Sequence, residues 1–415
     1  MKDFLRSLRD SLVSLKLTIA LLVLGLVLIF TATLDQVNLG IWAVQEKYFR
    51  SFVIYAFFGP LSVPIFPGGY TIGGLLLANV TAAYVYRFKF TWKKAGILLS
   101  HFGLIVLLIG ELLTGLWQRD YHMRLDEGQT RNYAESFREY ELAIVDVTAA
   151  DFEDVVAIPA GLLTRRRDVT NPKLPFRVVP KTYYPNSALQ IRPPATAAHG
   201  ETLPVSPATA GAGLHLLVAP QPITANPDER NLPAAFVELL APDRSLGVWL
   251  VATQIEAAQT FEYNQRRYQI ALRPARSYKP FSLTLLKFSH DRYAGTQIPK
   301  NFSSRLRLKT PDGSEDREVL IYMNNPLRHS GFTFYQSGFE NNDRTTILQV
   351  VHNPSWLLPY VATILMSLGL TLQFSYHLFA FARRRAALGS SASAPPAANV
   401  PAKLSPSAAR STAAV

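Results

Sequence analysis

Residues 95–117 read AGILLSHFGLIVLLIGELLTGLW, from Ala95 to Trp117. A helix of this length spans about 34 Å, enough to cross the ~30 Å hydrocarbon core of a bilayer. The run holds one histidine, His101, and one carboxylate, Glu111. Both are costly in hydrocarbon, so each is a candidate functional residue. Histidine is a good axial ligand for haem iron and a common proton carrier. The alternative for His101 is a ring that only hydrogen-bonds a neighbouring helix. For Glu111 it is a carboxylate reaching the outer interface near Trp117. If the run starts at the inner surface, His101 lies about 9 Å deep; Glu111 is about 15 Å farther out, rotated by about 80°.

Three further stretches have the same character. They are Leu17–Ala32 (LTIALLVLGLVLIFTA), Tyr70–Tyr86 (YTIGGLLLANVTAAYVY) and Trp356–Phe381 (WLLPYVATILMSLGLTLQFSYHLFAF). The first has no small-x-small cleavage site after it and is read as a retained span. Basic residues cluster at Lys2, Arg6, Arg9 and Lys16, at Arg87, Lys89, Lys93 and Lys94, and at Arg383, Arg384 and Arg385. With four spans these clusters share one side, and the positive-inside rule makes it the cytoplasm. Trp92, Trp117, Trp356 and Tyr360 sit where an interfacial aromatic belt is expected.

The expected fold class is therefore a membrane protein of four transmembrane α-helices, with a large extracytoplasmic antiparallel β domain inserted between helices three and four. The plan has a basic cytoplasmic N-terminus at 1–16 and spans at 17–33, 70–86, 95–117 and 356–381. A cytoplasmic loop occupies 87–94, and an Ala/Ser/Pro-rich, disordered cytoplasmic tail occupies 382–415. The outer loop, 34–69, contains WAVQEKYFRSFVIYAFFG, which suits either an interfacial helix or an ordinary packed connector.

The segment 118–355 alternates short apolar runs with turn residues. EYELAIVDV, FRVVPKTYYP, LHLLVAP, FVELLAP, LGVWLVAT, RYQIALRPA, FSLTLLKFSHDRY, RLRLKT, REVLIYMN and TFYQSGF carry the period-2 signal of strands. A sandwich or distorted barrel is expected. Pro193–Gly213 is poor in large apolar residues and reads as a loop or insertion. No phosphate loop, His-x-x-x-His pair or Gly-x-Ser-x-Gly elbow is present. His122, His199, His215, His290 and His329 are not at ligand spacing and read as surface or turn residues.

Composition narrows the function classes. The chain has 415 residues, 48% of them hydrophobic, and a slightly positive mean hydropathy, which suits spans plus a sizeable water-exposed part. The net charge of +12 belongs to cytoplasmic loops; no basic stripe with interleaved aromatics points to nucleic acid. With no cysteine, the chain has no disulfide, no thiolate metal site and no Cys-x-x-Cys-His haem attachment. His352, just outside the last span, and His377, near its inner end, could approach a bound cofactor, but both lie at interfaces where histidine is cheap. Gly25, Gly73, Gly74, Gly103 and Gly110 would let helices approach closely or leave room for a flat ligand.

Three stretches resemble the ResB (CcsB) family of System II cytochrome c biogenesis. They are LSHFGLIVLLIG around His101, VLIYMNNPLRHSGFTFYQSGF (Val319–Phe339) and VVHNPSWLLPYVATILMSLGL before and into the last span. The Val319–Phe339 stretch is similar to the family's Asn-x-Pro-Leu…Gly-x-x-Phe-Tyr-Gln-Ser block. The resemblance covers about residues 10–385. It implies a multi-pass protein of the bacterial plasma membrane with both termini cytoplasmic and its large domain on the periplasmic side. It implies a partner of the ResC (CcsA) type, whose tryptophan-rich haem motif is absent here. It implies non-covalent haem b shared with that partner, its iron ligated by His101 and attached afterwards to apocytochrome c. Contact with membrane lipid is also implied. Glu111 has no counterpart carried over from the family.

Two other readings stay open. One is a membrane-anchored adaptor or assembly scaffold whose outer domain docks a client without binding haem. The other is a transporter subunit using His101 and Glu111 as a proton relay, for which no internal repeat is visible.

Overall fold

The computed structural model describes residues 2–192, 206–224, 229–296, 299–341 and 344–392. Most of the Pro193–Gly213 stretch, His199 and the tail beyond 392 lie outside the described residues. The chain opens with helix α1 (Lys2–Leu12), then α2 (Leu15–Val44). Ser14 caps α2 by accepting from the Lys16 N–H. Helix α2 does not stop near residue 33. It continues to Val44 through a kink at Gly40, where φ is 73° and a side chain would be strained. A wide turn follows at Gln45–Phe49. Asp35, the acid inside this extension, accepts from Lys47 Nζ (2.6 Å) and Tyr48 Oη (2.9 Å).

The rest of the expected outer loop is a hairpin, strands β1 (Val53–Phe58) and β2 (Leu61–Pro67), turning at Gly59 with φ 64°. The stretch WAVQEKYFRSFVIYAFFG is therefore divided between the end of α2, one turn and β1. It is a packed connector rather than an interfacial helix: Val44, Tyr48 and Ile54 pack on Leu28, Ala32 and Ile72, VIYAFF is β-branched and aromatic, and Gly59-Pro60 reverses the chain. Helix α3 (Gly69–Arg87) comes next, and its buried Asn79 donates to the Leu12 and Ser14 carbonyls and accepts from Thr18 Oγ1. That knot ties α3 to the α1–α2 corner. Helix α4 (Ala95–Trp117) has the expected bounds.

A large antiparallel β domain follows: β3 (Arg119–Asp126), β4 (Thr130–Asp146), β5 (Asp154–Pro159), the short helix α5 (Ala160–Thr164), β6 (Arg177–Tyr184), β7 (Ser187–Ile191), β8 (Leu216–Pro220), β9 (Ala234–Leu240), β10 (Ser245–Ala252), β11 (Gln259–Tyr263), β12 (Arg266–Arg292), β13 (Pro299–Lys309), β14 (Asp316–Tyr322), β15 (Leu327–His329), β16 (Phe332–Glu340) and β17 (Thr345–His352). The main sheet runs β14-β13-β12-β4-β3-β17-β16-β15, with β5 on β4 and β11 on β12. Strands β4 and β12 pass through two separate cores. The core nearer the helices holds Met123, Leu125, Phe281, Leu283, Leu306, Phe334 and Leu348. The distal core holds Leu142, Ile144, Val237, Trp249, Phe261 and Tyr268, and closes against a smaller sheet of order β10-β9-β6. Between the cores the β4–β12 register shifts at Pro274/Arg276 and Tyr278/Leu283, where Pro274 and Pro280 cannot donate to the ladder.

Helix α6 (Leu358–Ala392) closes the fold. It runs past 381 into the expected tail. It packs antiparallel on α4: Gly96 meets Gly369 and Gln373, Gly103 meets Ala362 and Met366, and Gly110 meets Leu358 and Pro359. A Cβ at Gly103 would lie 2.7 Å from Met366 Cγ, so only glycine permits this approach. Among the described residues three stretches are long and apolar enough to cross a membrane, Leu15–Phe49, Trp92–Trp117 and Leu358–Ala386. Helix α3 has the expected extent but is not among them; its Gly, Thr, Asn and Tyr residues dilute the apolar run.

Candidate functional site

The His101 ring is fixed by its own helix. Nδ1 lies 2.8 Å from the Ile97 carbonyl. A carbonyl can only accept, so Nδ1 carries a proton, and Nε2 is the ring nitrogen whose lone pair is left for a ligand bond. Ligating histidines are typically oriented by such a second bond. The ring is half-buried and packs on Phe88, 5.1 Å between centroids. Its direction follows from helical geometry: Gly96, Gly103 and Gly110 lie about 140–180° around α4 from His101, whereas Leu108, Leu112 and Gly115 lie within about 40°. His101 therefore points away from α6.

The same strip of α4 borders a cavity of about 1000 Å³ between α2, α3 and α4. Leu108, the first α4 residue on its wall, is about 10 Å outward of His101. Glu111 lines it, together with Gln36, Arg50 and Tyr70, on an otherwise largely apolar wall. Gly73, Gly74 and Gly115 also line it, and a Cβ at any of them would meet nothing within 4 Å. These glycines leave room, while Gly103 and Gly110 serve close packing.

The other candidates stand apart from His101. His377 is exposed and its Nε2 lies 2.7 Å from Gln373 Nε2. Gln373 faces Gly96, so His377 is about 13 Å from His101 along the helix axis, toward the inner end. His352 pairs with Arg119 beyond the outer end of α4, at least about 24 Å from His101, and packs on Phe332. Among the described residues no group of three His, Asp or Glu is placed to hold a metal. Among the described residues, His101 is thus a lone ligand donor with no second imidazole beside it.

Several notable groups were not legible as site residues. His122 lines a second cavity, of about 600 Å³, where β3 follows the end of α4. Burial and the Arg230 charge lower its pKa, so it is neutral at pH 7. Lys279 is buried with its Nζ 3.5 Å from the Phe332 ring centroid, and burial pushes it down to about 8. The sequence reading took His122 as a surface or turn residue; the structure places it on β3, facing loops that are distant in the sequence.

The Asn-x-Pro-Leu…Gly-x-x-Phe-Tyr-Gln-Ser block proves architectural. Asn324 (φ 63°) and Gly331 (φ 78°) turn the chain around β15, and Leu327 and Phe334 fill the helix-proximal core. Ser304 donates to Gln336 Oε1 (2.6 Å), and the Gln336 amide donates to Thr346 Oγ1 (2.9 Å) and the Gly338 carbonyl (3.0 Å).

Residues 247–347 match the family described as the ResB-like family. This segment includes that block and lies wholly within the β domain; α4 and His101 lie outside it. Protein NrfI of Wolinella succinogenes is 30% identical over 112 residues, 27% of this chain and 12% of that protein. The chain therefore spans only a small part of the length of this relative. The resemblance carried by the Val319–Phe339 block is borne out by the match that contains it: residues 247–347 are similar to the ResB-like family.

Proposed function

We propose that this chain is a membrane subunit for cytochrome c biogenesis that holds haem inside the bilayer for delivery to the outer side. Haem is here the cargo. The observation that carries the reading is the state of His101: its Nδ1–H is committed to Ile97, and its ring faces away from α6 along the cavity strip. In this reading α2, α3, α4 and α6 are four spans, both termini are cytoplasmic and the β domain stands outside. His101 supplies one axial ligand through Nε2, and a ResC/CcsA-type partner supplies the other. The apolar cavity wall takes the flat ring system, and Gly73, Gly74 and Gly115 leave the space for it. The chain has no cysteine and brings no thiol chemistry to the later thioether attachment to apocytochrome c.

The test is the absorption spectrum of the complex, co-expressed with a tryptophan-rich multi-span partner and purified with and without His101. His101→Ala should lose the haem bands while both subunits still co-purify. Unchanged haem content and activity would overturn the proposal and leave the adaptor reading, which the position of the family match in the β domain favours.

A further inference from the structure

Helix α1 is too short to cross a bilayer. Its 11 residues span about 17 Å, roughly half the ~30 Å hydrocarbon core. At 100° per residue, Phe4, Leu5, Leu8 and Leu12 fall within an arc of about 100°, and Asp3, Arg6, Arg9 and Asp10 occupy the rest of the circumference. Most of the apolar arc is uncovered: Phe4 is 69% exposed, Leu5 55% and Leu8 47%. The helix is nevertheless held in place. Asn79 of α3 donates to the Leu12 and Ser14 carbonyls, and Arg87 Nη1 donates to the Val13 carbonyl (3.4 Å). Helix α1 thus sits at the Arg87 end of α3, where the link to α4 begins. That link repeats the same composition. Phe90 and Trp92 meet edge-on, 5.6 Å between centroids, yet both are exposed, and Lys89, Lys93 and Lys94 beside them are exposed too. Before β3 the ion pairs among the described residues are Arg9–Asp10, Lys47–Asp35 and Arg50–Glu46. Arg6, Lys16, Lys89, Lys93 and Lys94 are in none of them. Uncovered apolar side chains among unpaired cations suit neither bulk water nor hydrocarbon. They suit the headgroup layer, where rings and methylenes enter the acyl boundary and cations meet phosphates.

We infer that α1 is an interfacial helix seated in the headgroup layer of an anionic phospholipid leaflet, with Phe4, Leu5 and Leu8 in the acyl boundary and Arg6 and Arg9 on lipid phosphates. Phe90 and Trp92 enter the same leaflet beside it. The inference takes α2 and α4 as membrane spans and uses nothing of the haem reading, so either can fail alone. The Arg9–Asp10 pair is no obstacle, because an exposed ion pair is weak and a phosphate can replace the carboxylate. The arginine fork matches phosphate oxygens as well as it matches a carboxylate. The leaflet is the one at the basic ends of the helices, and its negative surface potential acts within about a Debye length, so α1 feels it only when lying at the surface.

The chain has no cysteine, so one introduced cysteine carries one label. Full-length Leu8→Cys and Asp10→Cys, whose positions lie about 160° apart around α1, are each labelled with a thiol-reactive fluorophore. Each is placed in bilayer nanodiscs of phosphatidylcholine alone or of phosphatidylcholine mixed with phosphatidylglycerol. In the mixed discs acrylamide should quench the label at position 8 at least about threefold less than the label at position 10. Lipid carrying a nitroxide on its acyl chain should quench the label at position 8. That protection should fall at least about twofold in phosphatidylcholine alone, and equally in mixed discs when Arg6→Gln and Arg9→Gln are added. Equal acrylamide quenching at the two positions would put α1 in water and overturn the seat. Protection from acrylamide without quenching by the nitroxide lipid would mean that protein covers α1, which overturns it as well. Equal protection in the two lipid mixtures overturns the requirement for anionic lipid. Protection unchanged by Arg6→Gln and Arg9→Gln overturns the arginine assignment.

Discussion

The face of α4 that meets α6 is built on Gly96, Gly103 and Gly110, whereas the opposite face carries His101, Leu108, Leu112 and Gly115 along a cavity. On the first face backbone meets backbone, and a single Cβ at Gly96 would sit 2.6 Å from the Gly369 carbonyl. On the second face the chain leaves space and a ring nitrogen uncommitted. One helix thus spends its small residues in two ways. A glycine facing a partner helix fixes structure, and a glycine facing the cavity makes room. The same residue type gives opposite expectations on the two faces.

The largest effect is expected on the closed face. Gly103→Leu forces its side chain into Ala362 and Met366, and overpacking of this kind costs about 3 kcal/mol or more where backbone cannot move. The thermal midpoint in detergent should fall by several degrees, and a variant as stable as the parent would break the distinction. On the open face, His101→Ala removes one hydrogen bond to the backbone, about 0.5–1.5 kcal/mol, so folding persists while bound haem drops at least tenfold. Gly115→Leu meets nothing within 4 Å, so stability should change by no more than about 0.5 kcal/mol. Its side chain enters the cavity, and porphyrin occupancy should fall several-fold by fluorescence titration.

The smallest effect concerns His122, whose cavity shares Ile41, Gln45 and Arg50 with the one along the open face. Its folded pKa is depressed, so below the ordinary histidine value the unfolded chain binds a proton that the folded chain refuses. Stability should be level above pH 6.5 and decline as pH falls from there toward the depressed folded value. His122→Phe should flatten that part of the pH profile; an identical decline in the variant would place its origin elsewhere.

Much of the β domain was readable because alternation is local. EYELAIVDV overlaps the end of β4 and FVELLAP overlaps β9, while RYQIALRPA and FSLTLLKFSHDRY turn out to be the two ends of one strand, β12. Their separation in the sequence came from Pro274 and Pro280, which shift register without ending the strand. Strands β3 and β17 carry more polar residues at alternate positions and escape a search for apolar runs. The end of α2 was misplaced because Asp35 and Gln36 look like the water side of a span, whereas Asp35 is held by Lys47 and Tyr48. His101 stood out because its cost in hydrocarbon is a property of one residue in one helix. The cavities could not be read in this way, since residues 41–50, 118–122 and 136–139 meet only in the folded chain.

One residue, Gln118, separates α4 from β3, and β17 pairs with β3 along all eight residues from Arg119 to Asp126. On the return, Asn353 Nδ2 donates to Thr114 Oγ1 and Ser355 Oγ lies 3.1 Å from the same oxygen. The β domain is therefore a mast stepped into the helix pair, not a float on a tether. Strand β4 alone reaches about 55 Å at 3.3 Å per residue, so a tilt of about 5° in the α4–α6 pair would swing its far end by roughly 5 Å. Motion of the helices within the lipid is thereby geared up into displacement at the distal core, and a load applied there is felt as torque on the helix that carries His101.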